Sequence, residues 1–365
     1  MVFGGRLKRY FAFKFLGAAL AVFGGVFVLV VLLDYIELMR RSADIPNVSA
    51  LLVAKTSLYR VPQVTERIMP FCILVGAMVC FLGLSRRLEL VIARSVGMSA
   101  WQFVLPAILT ALIFGIVATA IYNPLSAIMQ EKAKKLEAQI FGTQQPSTFG
   151  SVGGGFWVRQ KTNDGETIIN AKSSEQQGAL LGGVTIFVYD KTVHFVERIE
   201  ANAATLGDQK WVLSDAKVYK TGQRVEEHKT FDVPTNLNPE QVRESFATPE
   251  TVPFWRLPAF IKLAEDAGLR GSGYRLQYEK LLAQPFLLAS MVLLAAAVSL
   301  RFVRFGGVQK MVVIGVLMGF FIFVMAKVVD DLSKAGAMSP FIAAWLPVSF
   351  GSVVGFMTIL FQEDG

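Results

Sequence analysis

Ser85–Ser99, SRRLELVIARSVGMS, is a short charged stretch between two apolar runs that are each long enough to cross a membrane. The run before it ends at Leu84, and the run after it begins at Trp101. A connection this short between two membrane-length segments has to form a tight loop at one face of the bilayer. This loop therefore sets how the rest of the chain is threaded through the membrane.

The charged stretch is predicted to fold as a small amphipathic helix, because its charged and apolar residues separate onto two faces at helical spacing. The charged face consists of Arg86, Arg87, Glu89 and Arg94, and the less polar face consists of Leu88, Val91, Ile92, Ser95 and Val96. Gly97 is predicted to end the helix, as glycine commonly does at a helix C-terminus. Such a helix either docks another protein or only joins two spans, and the segment alone leaves both interpretations open.

The composition is that of a membrane protein. Of the 365 residues, 53% are hydrophobic and only 18% are charged, and the charges occur in blocks. The net charge of +8 comes from basic residues that cluster at the ends of apolar runs. The positive-inside rule accounts for such clusters, so we expect no nucleic-acid partner.

Six apolar runs are long enough to cross a bilayer core, which requires about 20 mostly apolar residues. They are Phe11–Leu33, Val61–Leu84, Trp101–Tyr122, Leu281–Leu300, Met311–Val329 and Phe341–Phe361. Pro62 and Pro70 are expected to kink the start of the second run. The flanks on the N-terminal side of the membrane carry more Lys and Arg than the short segments on the other side, so both termini are predicted to be cytoplasmic.

A polar segment separates the third run from the fourth and shows strand-like alternation with turn residues between the strands. Short strands at near-regular spacing are typical of a β-sandwich or jelly roll. The segment follows an odd number of spans, so it is predicted to lie outside. The predicted fold is thus a membrane α-helical protein of six transmembrane helices with an inserted all-β jelly-roll domain. Its predicted parts are residues 1–122, with the surface helix at 85–98, then residues 123–273 for the insertion with helical lead-in and lead-out, and residues 274–365.

The sequence offers little support for an enzyme. It has neither a phosphate-binding loop of the Gly-x-x-x-x-Gly-Lys-Ser/Thr type nor a His-Glu-x-x-His motif. The only histidines, His194 and His228, lie far apart on predicted strands, which argues against a metal site. Cys72 and Cys80 share one helical run at roughly 12 Å, too far apart for a disulfide. We therefore expect no cofactor, no metal and no ATP hydrolysis by this chain.

Charges at membrane depth each cost about 2.5–3.5 kcal/mol on insertion scales and are often functional. Lys327 lies near the outer end of the fifth run, just before Asp330 and Asp331, where a local ion pair is expected. Other charges gather at the outer end of the first run, among them Arg40 and Arg41. These cations are predicted to contact either lipid headgroups or the phosphates of a large anionic amphiphile.

The whole layout resembles the lipopolysaccharide export permeases LptF and LptG, which have three spans, a periplasmic β-jellyroll domain and three further spans. The stretch LELVIARSVGMS, Leu88–Ser99, is similar to the family's S-E-L-x-x-x-x-x-x-G coupling-helix signature, with Leu88 in place of serine. Arg198–Lys217 resembles a sheet segment with Trp-x-Leu, and MSPFIAAWLP, Met338–Pro347, resembles the family's P-x-x-A-A-W-x-P motif before the last span. The stretch LLDYIELMRR, Leu32–Arg41, is more similar to LptG than to LptF.

The resemblance implies an inner-membrane permease subunit of an ATP-driven exporter that pairs with an LptF-like permease. An LptB-like ATPase dimer would hydrolyse ATP, and the coupling helix would insert into a groove of that ATPase with Glu89 as the matching acid. The flanking residues implied in this coupling are Arg86, Arg87, Arg94 and Gly97. The chain itself would be no enzyme.

The resemblance also implies that lipopolysaccharide enters between the first and fifth spans of opposite subunits and leaves through the β domains towards LptC-like and LptA-like proteins. Arg40 and Arg41 match basic positions that face the lipid A phosphates, and Lys327 is a further candidate. Some members have a lysine where this chain has Asp34. The alternative is a non-transporting regulator whose periplasmic β domain signals through the spans to a cytoplasmic partner.

Overall fold

The computed structural model describes residues 3–43, 45, 48–95, 97–141, 156–162, 165–175, 180–190, 194–207, 210–220, 224–235, 249–266, 271–304 and 307–363. The chain forms two compact units. The first consists of Met1–Ile140, Pro253–Trp255 and Arg275–Gly365, and the second of Phe141–Val252 and Arg256–Tyr274. The predicted lead-in helix from residue 123 onward therefore groups with the spans.

Nine α-helices are formed by the described residues. They are α1 (Phe3–Ser42), α2 (Ala50–Arg86), α3 (Glu89–Ser95), α4 (Ala100–Val117), α5 (Asn123–Phe141), α6 (Leu257–Asp266), α7 (Ser272–Arg304), α8 (Val308–Lys334) and α9 (Pro340–Glu363). A π-helical turn, Ala118–Tyr122, joins α4 to α5. Among the described residues, six helical segments are long and apolar enough to cross a membrane, and they coincide with the six predicted spans.

The second span shows why the helices run beyond the apolar runs. The Ser49 side chain caps α2 by accepting a hydrogen bond from the backbone N–H of Leu51 at 3.3 Å. The helix then continues through Pro62 and Pro70 to Arg86, so neither proline ends it. The helix therefore begins about three turns before Val61, where the apolar run starts.

The six spans differ in how much of their apolar surface the protein itself covers. In α2 and α7, 61% and 78% of the most apolar stretch is buried, against 6% in α1 and 22% in α8. Gly76 of α2 lets α1 approach closely, because an added Cβ atom would lie 2.7 Å from the Ala19 Cα atom. Helices α2 and α7 therefore contribute most to the core, whereas α1 and α8 present apolar surface outward.

The second unit contains a six-stranded antiparallel sheet in which each strand pairs with the next, in the order β1-β2-β3-β4-β5-β6. The strands are β1 (Phe156–Thr162), β2 (Gly165–Glu175), β3 (Leu180–Tyr189), β4 (Phe195–Leu206), β5 (Lys210–Lys220) and β6 (Glu226–Pro234). The predicted all-β insertion is confirmed. Among the described strands the order is a meander, and the Greek-key crossover of a double-sheet jelly roll is not seen.

A crease crosses this sheet at Gly183, Asn202 and Asp215, which occupy adjacent positions on β3, β4 and β5. Gly183 and Asp215 have φ angles of 61° and 55°, in the left-handed region. The Asn202 Nδ2 atom donates a hydrogen bond to Asp215 Oδ2 at 3.3 Å. On each strand the buried positions beside the crease are three residues apart instead of two: Leu181 and Val184, Ala201 and Ala204, Leu213 and Ala216. All six belong to one apolar core, so the crease keeps both halves of each strand facing the same interior.

We expect Gly183→Ala to weaken the sheet at the crease. A side chain in the left-handed region costs about 1–2 kcal/mol, and the free energy of local opening should fall by that amount. Amide hydrogen exchange of β3, β4 and β5 in the detergent-solubilised full-length chain measures it. Gly182→Ala is the matched control, because Gly182 is not among the residues with positive φ. Equal protection in the two variants would contradict a requirement for glycine at the crease.

Candidate functional site

The predicted surface helix of residues 85–98 is shorter in the structure, where α3 covers Glu89–Ser95. Its first residues, Ser85 and Arg86, instead complete α2. Leu88 separates the two helices with a φ angle of 59°, which is uncommon for any residue except glycine. Its N–H donates to the Ser85 carbonyl, and its own carbonyl accepts from the N–H of Ile92, both at 2.9 Å. A single residue, Leu88, thus ends α2 and starts α3.

Gly97 ends α3 as predicted. Its φ angle is 86°, and its N–H donates to the Arg94 carbonyl at 2.9 Å. The next residue, Met98, donates to the Ala93 carbonyl at 3.1 Å. These two bonds close the helix with a left-handed glycine, the usual arrangement at a helix C-terminus.

The predicted division of α3 into faces was wrong. The helix is seated through Leu90 and Ala93, which are buried, and Leu90 belongs to the apolar core of the spans. The apolar residues Leu88 and Ile92 are exposed instead, at 60% and 61%. They share the exposed surface with Arg86, Arg87 and Arg94. Helical spacing alone could not reveal which apolar row packs against the ends of the neighbouring spans. The result is a mixed apolar and cationic surface, named here the α3 surface.

Glu89 does not lie free among the arginines, as the sequence suggested. It is half-buried, and the Tyr10 hydroxyl of α1 donates to both of its carboxylate oxygens, at 3.0 and 3.2 Å. The two residues are 79 positions apart in the chain, so no local pattern indicated this contact. The acid of the α3 segment is thereby joined to the first span.

Arg40 and Arg41 lie at the C-terminal end of α1, and both bind Glu37 on the same helix. The Arg41 Nε atom is 2.8 Å from Glu37 Oε1, and Arg40 approaches the same carboxylate to 2.8 Å. One carboxylate faces two guanidinium groups, so the cluster keeps a net positive charge. Both arginine side chains are exposed and retain donors that can bind an anion.

Lys327 forms the predicted local ion pair, with Asp331 as its partner at 2.9 Å. Asp330 points instead towards α7, where it binds Lys280 at 3.0 Å, and it also binds Lys334 at 3.1 Å. Lys327 remains exposed at the end of α8. Its charge is thus offset within its own helix, and nothing in the described residues connects it to Arg40 or Arg41.

An ion triad that the sequence did not reveal joins three helices of the first unit. Arg60 of α2 lies 3.5 Å from Asp34 of α1 and 3.0 Å from Glu137 of α5. The two carboxylates are mostly buried, with side-chain exposures of 13% and 15%. Asp34 therefore faces its neighbouring helices, and Arg60 is engaged within the chain.

A further carboxylate, that of half-buried Glu66 on α2, binds the start of α5. Glu66 accepts hydrogen bonds from Asn123 Nδ2 at 2.8 Å and from the Ser126 hydroxyl at 2.5 Å. The Asn123 Oδ1 atom in turn accepts from the backbone N–H of Phe254 at 3.0 Å. The presence of Glu66 within an apolar run was the one sequence signal for this contact, because a charged residue in the hydrocarbon needs a polar partner. Across the described part of the chain, no group of three or more His, Cys, Asp or Glu residues is arranged to hold a metal ion.

The MSPFIAAWLP motif forms the first turns of α9 and ties this helix to α7. Pro340 is the first helical residue, and the Ser339 side chain accepts a hydrogen bond from the N–H of Ile342 at 3.4 Å. The Trp345 indole N–H donates to Glu279 Oε2 of α7 at 3.2 Å. The motif thus lies within the last span rather than before it.

We expect Arg60→Ala to destabilise the first unit by about 1–3 kcal/mol, because two largely buried carboxylates would lose their shared, partly exposed cation. Thermal unfolding in detergent, followed by circular dichroism, should show a melting temperature several degrees lower. Removing the two carboxylates as well, with Asp34→Asn and Glu137→Gln, should recover part of the loss. Arg40→Ala is the control, since its exposed pair contributes at most about 1 kcal/mol. A similar decrease in both single variants would contradict the role of the triad.

Comparison with known proteins places these features in a family. The sequence profile described as "Lipopolysaccharide export system permease LptF/LptG" matches residues 9–360. The lipopolysaccharide export system permease protein LptG of Escherichia coli K12 is 24% identical over 303 residues, 80% of this chain and 80% of the relative. LptG of Haemophilus influenzae is 23% identical over 347 residues, 93% of this chain and 94% of the relative. Because the profile spans all six membrane helices and the inserted sheet, the chain belongs to the LptF/LptG family of lipopolysaccharide export permeases.

Proposed function

We propose that the chain is an LptG-like permease subunit of an ATP-driven exporter that extracts lipopolysaccharide from the inner membrane and passes it to a periplasmic bridge towards the outer membrane. The observation that carries this proposal is the outward apolar surface of α1 and α8, with cations at the C-terminal ends of both helices. An amphiphile with acyl chains and phosphates has the complementary chemistry.

The apolar surface of α1 and α8 is the proposed entry route. Large hydrophobic side chains stand exposed along both helices: Val28, Leu29, Leu32, Leu33 and Ile36 on α1, and Leu317, Phe320, Phe321, Phe323 and Val328 on α8. Such surface needs either lipid chains or another apolar helix beside it. We assign the opposite side of this route to the α1-like and α8-like spans of an LptF-like partner permease.

The cations at the ends of these two helices are the proposed phosphate contacts. Arg40 and Arg41 keep a net positive charge beside Glu37, and their guanidinium groups can bind phosphate oxygens in a two-pronged manner. Lys327, paired with Asp331, contributes a weaker contact. The lipid A phosphates would bind here while the acyl chains contact the apolar surface below.

The α3 surface is the proposed docking site for an LptB-like ATPase dimer, which hydrolyses the ATP. Exposed Leu88 and Ile92 supply apolar contact, and the cations and the acid of the segment supply specificity. The residues assigned to coupling are Arg86, Arg87, Glu89, Arg94 and Gly97. The α3 segment then lies on the cytoplasmic side together with both termini, and the inserted sheet lies in the periplasm beside LptC-like and LptA-like proteins.

Transport in this proposal follows from two cavity shapes with different affinities for the lipid. Closure of the ATPase moves α3, and the spans carry the motion to the entry route. The cavity that binds lipopolysaccharide well gives way to one that binds it poorly, which is the differential affinity that coupled transport requires.

Photo-crosslinking separates transport from signalling. A photoreactive residue at Arg41, Leu33 or Phe321 should form lipopolysaccharide adducts in the complex with its ATPase, and these adducts should decrease when ATP is added. Ile113 of α4 and Phe361 of α9 are matched control positions, exposed at 63% and 79% but outside the proposed route. An absence of adducts at the route positions, with the ATPase still bound, would favour the regulator instead.

Glu89→Arg should disrupt coupling, because it reverses the only acidic charge of the α3 segment. Loss of a close interfacial ion pair weakens binding about tenfold or more, so co-purification of the ATPase and extraction of lipopolysaccharide from vesicles should both decrease. Glu131→Arg, at an exposed acid paired with Lys135 on α5, controls for charge reversal. Intact co-purification and extraction in Glu89→Arg would rule out this coupling role.

A further inference from the structure

The contact between Tyr10 and Glu89 joins the helix that lines the proposed entry route to the segment that docks the proposed ATPase. The hydroxyl lies 3.0 Å from Glu89 Oε2 and 3.2 Å from Oε1. Tyr10 belongs to the first three turns of α1, whose remaining length has the least buried apolar surface of the six spans found in the described residues. Any movement of α3 relative to α1 would therefore stretch or break this hydrogen bond.

Both partners of this contact are held by their surroundings. The Lys14 ammonium lies 5.4 Å from the centre of the Tyr10 ring, and the Phe11 ring packs against Tyr10 edge-on at 5.9 Å. Phe11 in turn contacts Phe103 of α4 in the apolar core. Glu89 precedes Leu90, which is buried in the same core. The packing of Phe11 and of Leu90 thus brings the exposed hydroxyl and the half-buried carboxylate together.

The position of the hydroxyl is important for the chemistry of Glu89. A donor nearly equidistant from both carboxylate oxygens occupies the place between them that a two-pronged cationic donor would use. A cation on a docked protein that binds both oxygens from that side would therefore compete with the Tyr10 hydroxyl for the same lone pairs. Because a hydrogen bond between two charged groups is stronger than one from a neutral hydroxyl, the cation would displace Tyr10.

We propose that Tyr10 is a positioning residue that holds the N-terminal part of α1 to α3 in the undocked permease and releases it when a cation of the ATPase takes Glu89. The inference rests on the proposed function, since it requires that an ATPase docks on the α3 surface. Docking then changes the first span directly, through one exchanged hydrogen bond, in addition to pushing on α3 as a rigid element.

Distance measurements between spin labels test this exchange in the full-length chain in nanodiscs. Labels on Arg6→Cys of α1 and Ser95→Cys of α3 report the separation of the two elements, and both positions are exposed. Cys72 and Cys80 can remain, because they are buried. We expect a narrow distance distribution without the ATPase and a broader or longer one with it. Tyr10→Phe, which keeps the ring and loses only the hydroxyl, should give the broad distribution in both conditions.

Affinity for the ATPase provides a second measurement. Tyr10→Phe should bind the ATPase about three to ten times more tightly, because Glu89 no longer has to leave the hydroxyl. In a Glu89→Leu background, which has no side-chain acceptor at this position, the same substitution should have little effect on either measurement, since Tyr10 acts through the carboxylate. Tyr35→Phe, at the other end of α1, is the matched control and should behave as the unmodified chain in both.

The outcomes distinguish this inference from the function on which it rests. A distribution in Tyr10→Phe equal to that of the unmodified chain, without the ATPase, would overturn the positioning role whatever the ATPase does. An unmodified chain that binds the ATPase with no change in the label distance would also overturn it. Failure of the ATPase to bind any variant would instead refute the proposed coupling, while the comparison without the ATPase would still decide whether Tyr10 holds α1 to α3.

Discussion

The structure of the helical unit depends on pairing the charges that its membrane-length helices carry. Hydrocarbon cannot solvate an isolated charge, so each one needs a partner from a neighbouring helix or from its own. Arg60 therefore joins Asp34 to Glu137 across three helices, and Lys280 joins α7 to Asp330 of α8. Removing one member of such a set is costly, because it leaves the others buried without compensation. These pairs connect the ends of the spans, while apolar packing fills the space between them.

Pairing also limits which cations remain for a substrate. Arg60, Lys280, Lys327 and Lys334 each bind an acidic residue, so the number of cations in the sequence overstates the positive charge that a ligand would meet. Arg40 and Arg41 are the exception of interest, since they share the single carboxylate of Glu37 and stay exposed. A small net positive charge above an exposed apolar helix suits an amphiphile better than a soluble anion. The proposed substrate therefore follows from the combination of the two surfaces, and neither surface alone would indicate it.

The features that could be predicted from the sequence are those encoded by local composition. Six apolar runs, the short charged connection and Gly97 each depend on neighbouring residues, and the structure confirms them. Some contacts could not be predicted because they join residues far apart in the chain, such as Tyr10 and Glu89. The seating of α3 could not be predicted because either of its apolar rows could pack against the spans, and the structure shows that the row with Leu90 does. The crease at Asp215 could not be predicted from the sequence either, because an aspartate that adopts the left-handed conformation within a strand has no distinctive local sequence pattern.

The length of α1 gives the Tyr10 contact a mechanical consequence. The helix runs unbroken for 40 residues, and at about 1.5 Å per residue Tyr10 and Arg40 lie roughly 45 Å apart along it. Its close approach to α2 falls at Ala19, roughly 14 Å from Tyr10 and 32 Å from Arg40. A rigid helix that pivots at this approach would move its arginine end about twice as far as its tyrosine end, and in the opposite direction. The 3.5 Å contact between Asp34 and Arg60 lies on the longer arm, as does the hydrogen bond from the Ser57 hydroxyl to the Val31 carbonyl at 3.4 Å. Both would resist that motion, while the Tyr10 contact holds the shorter arm.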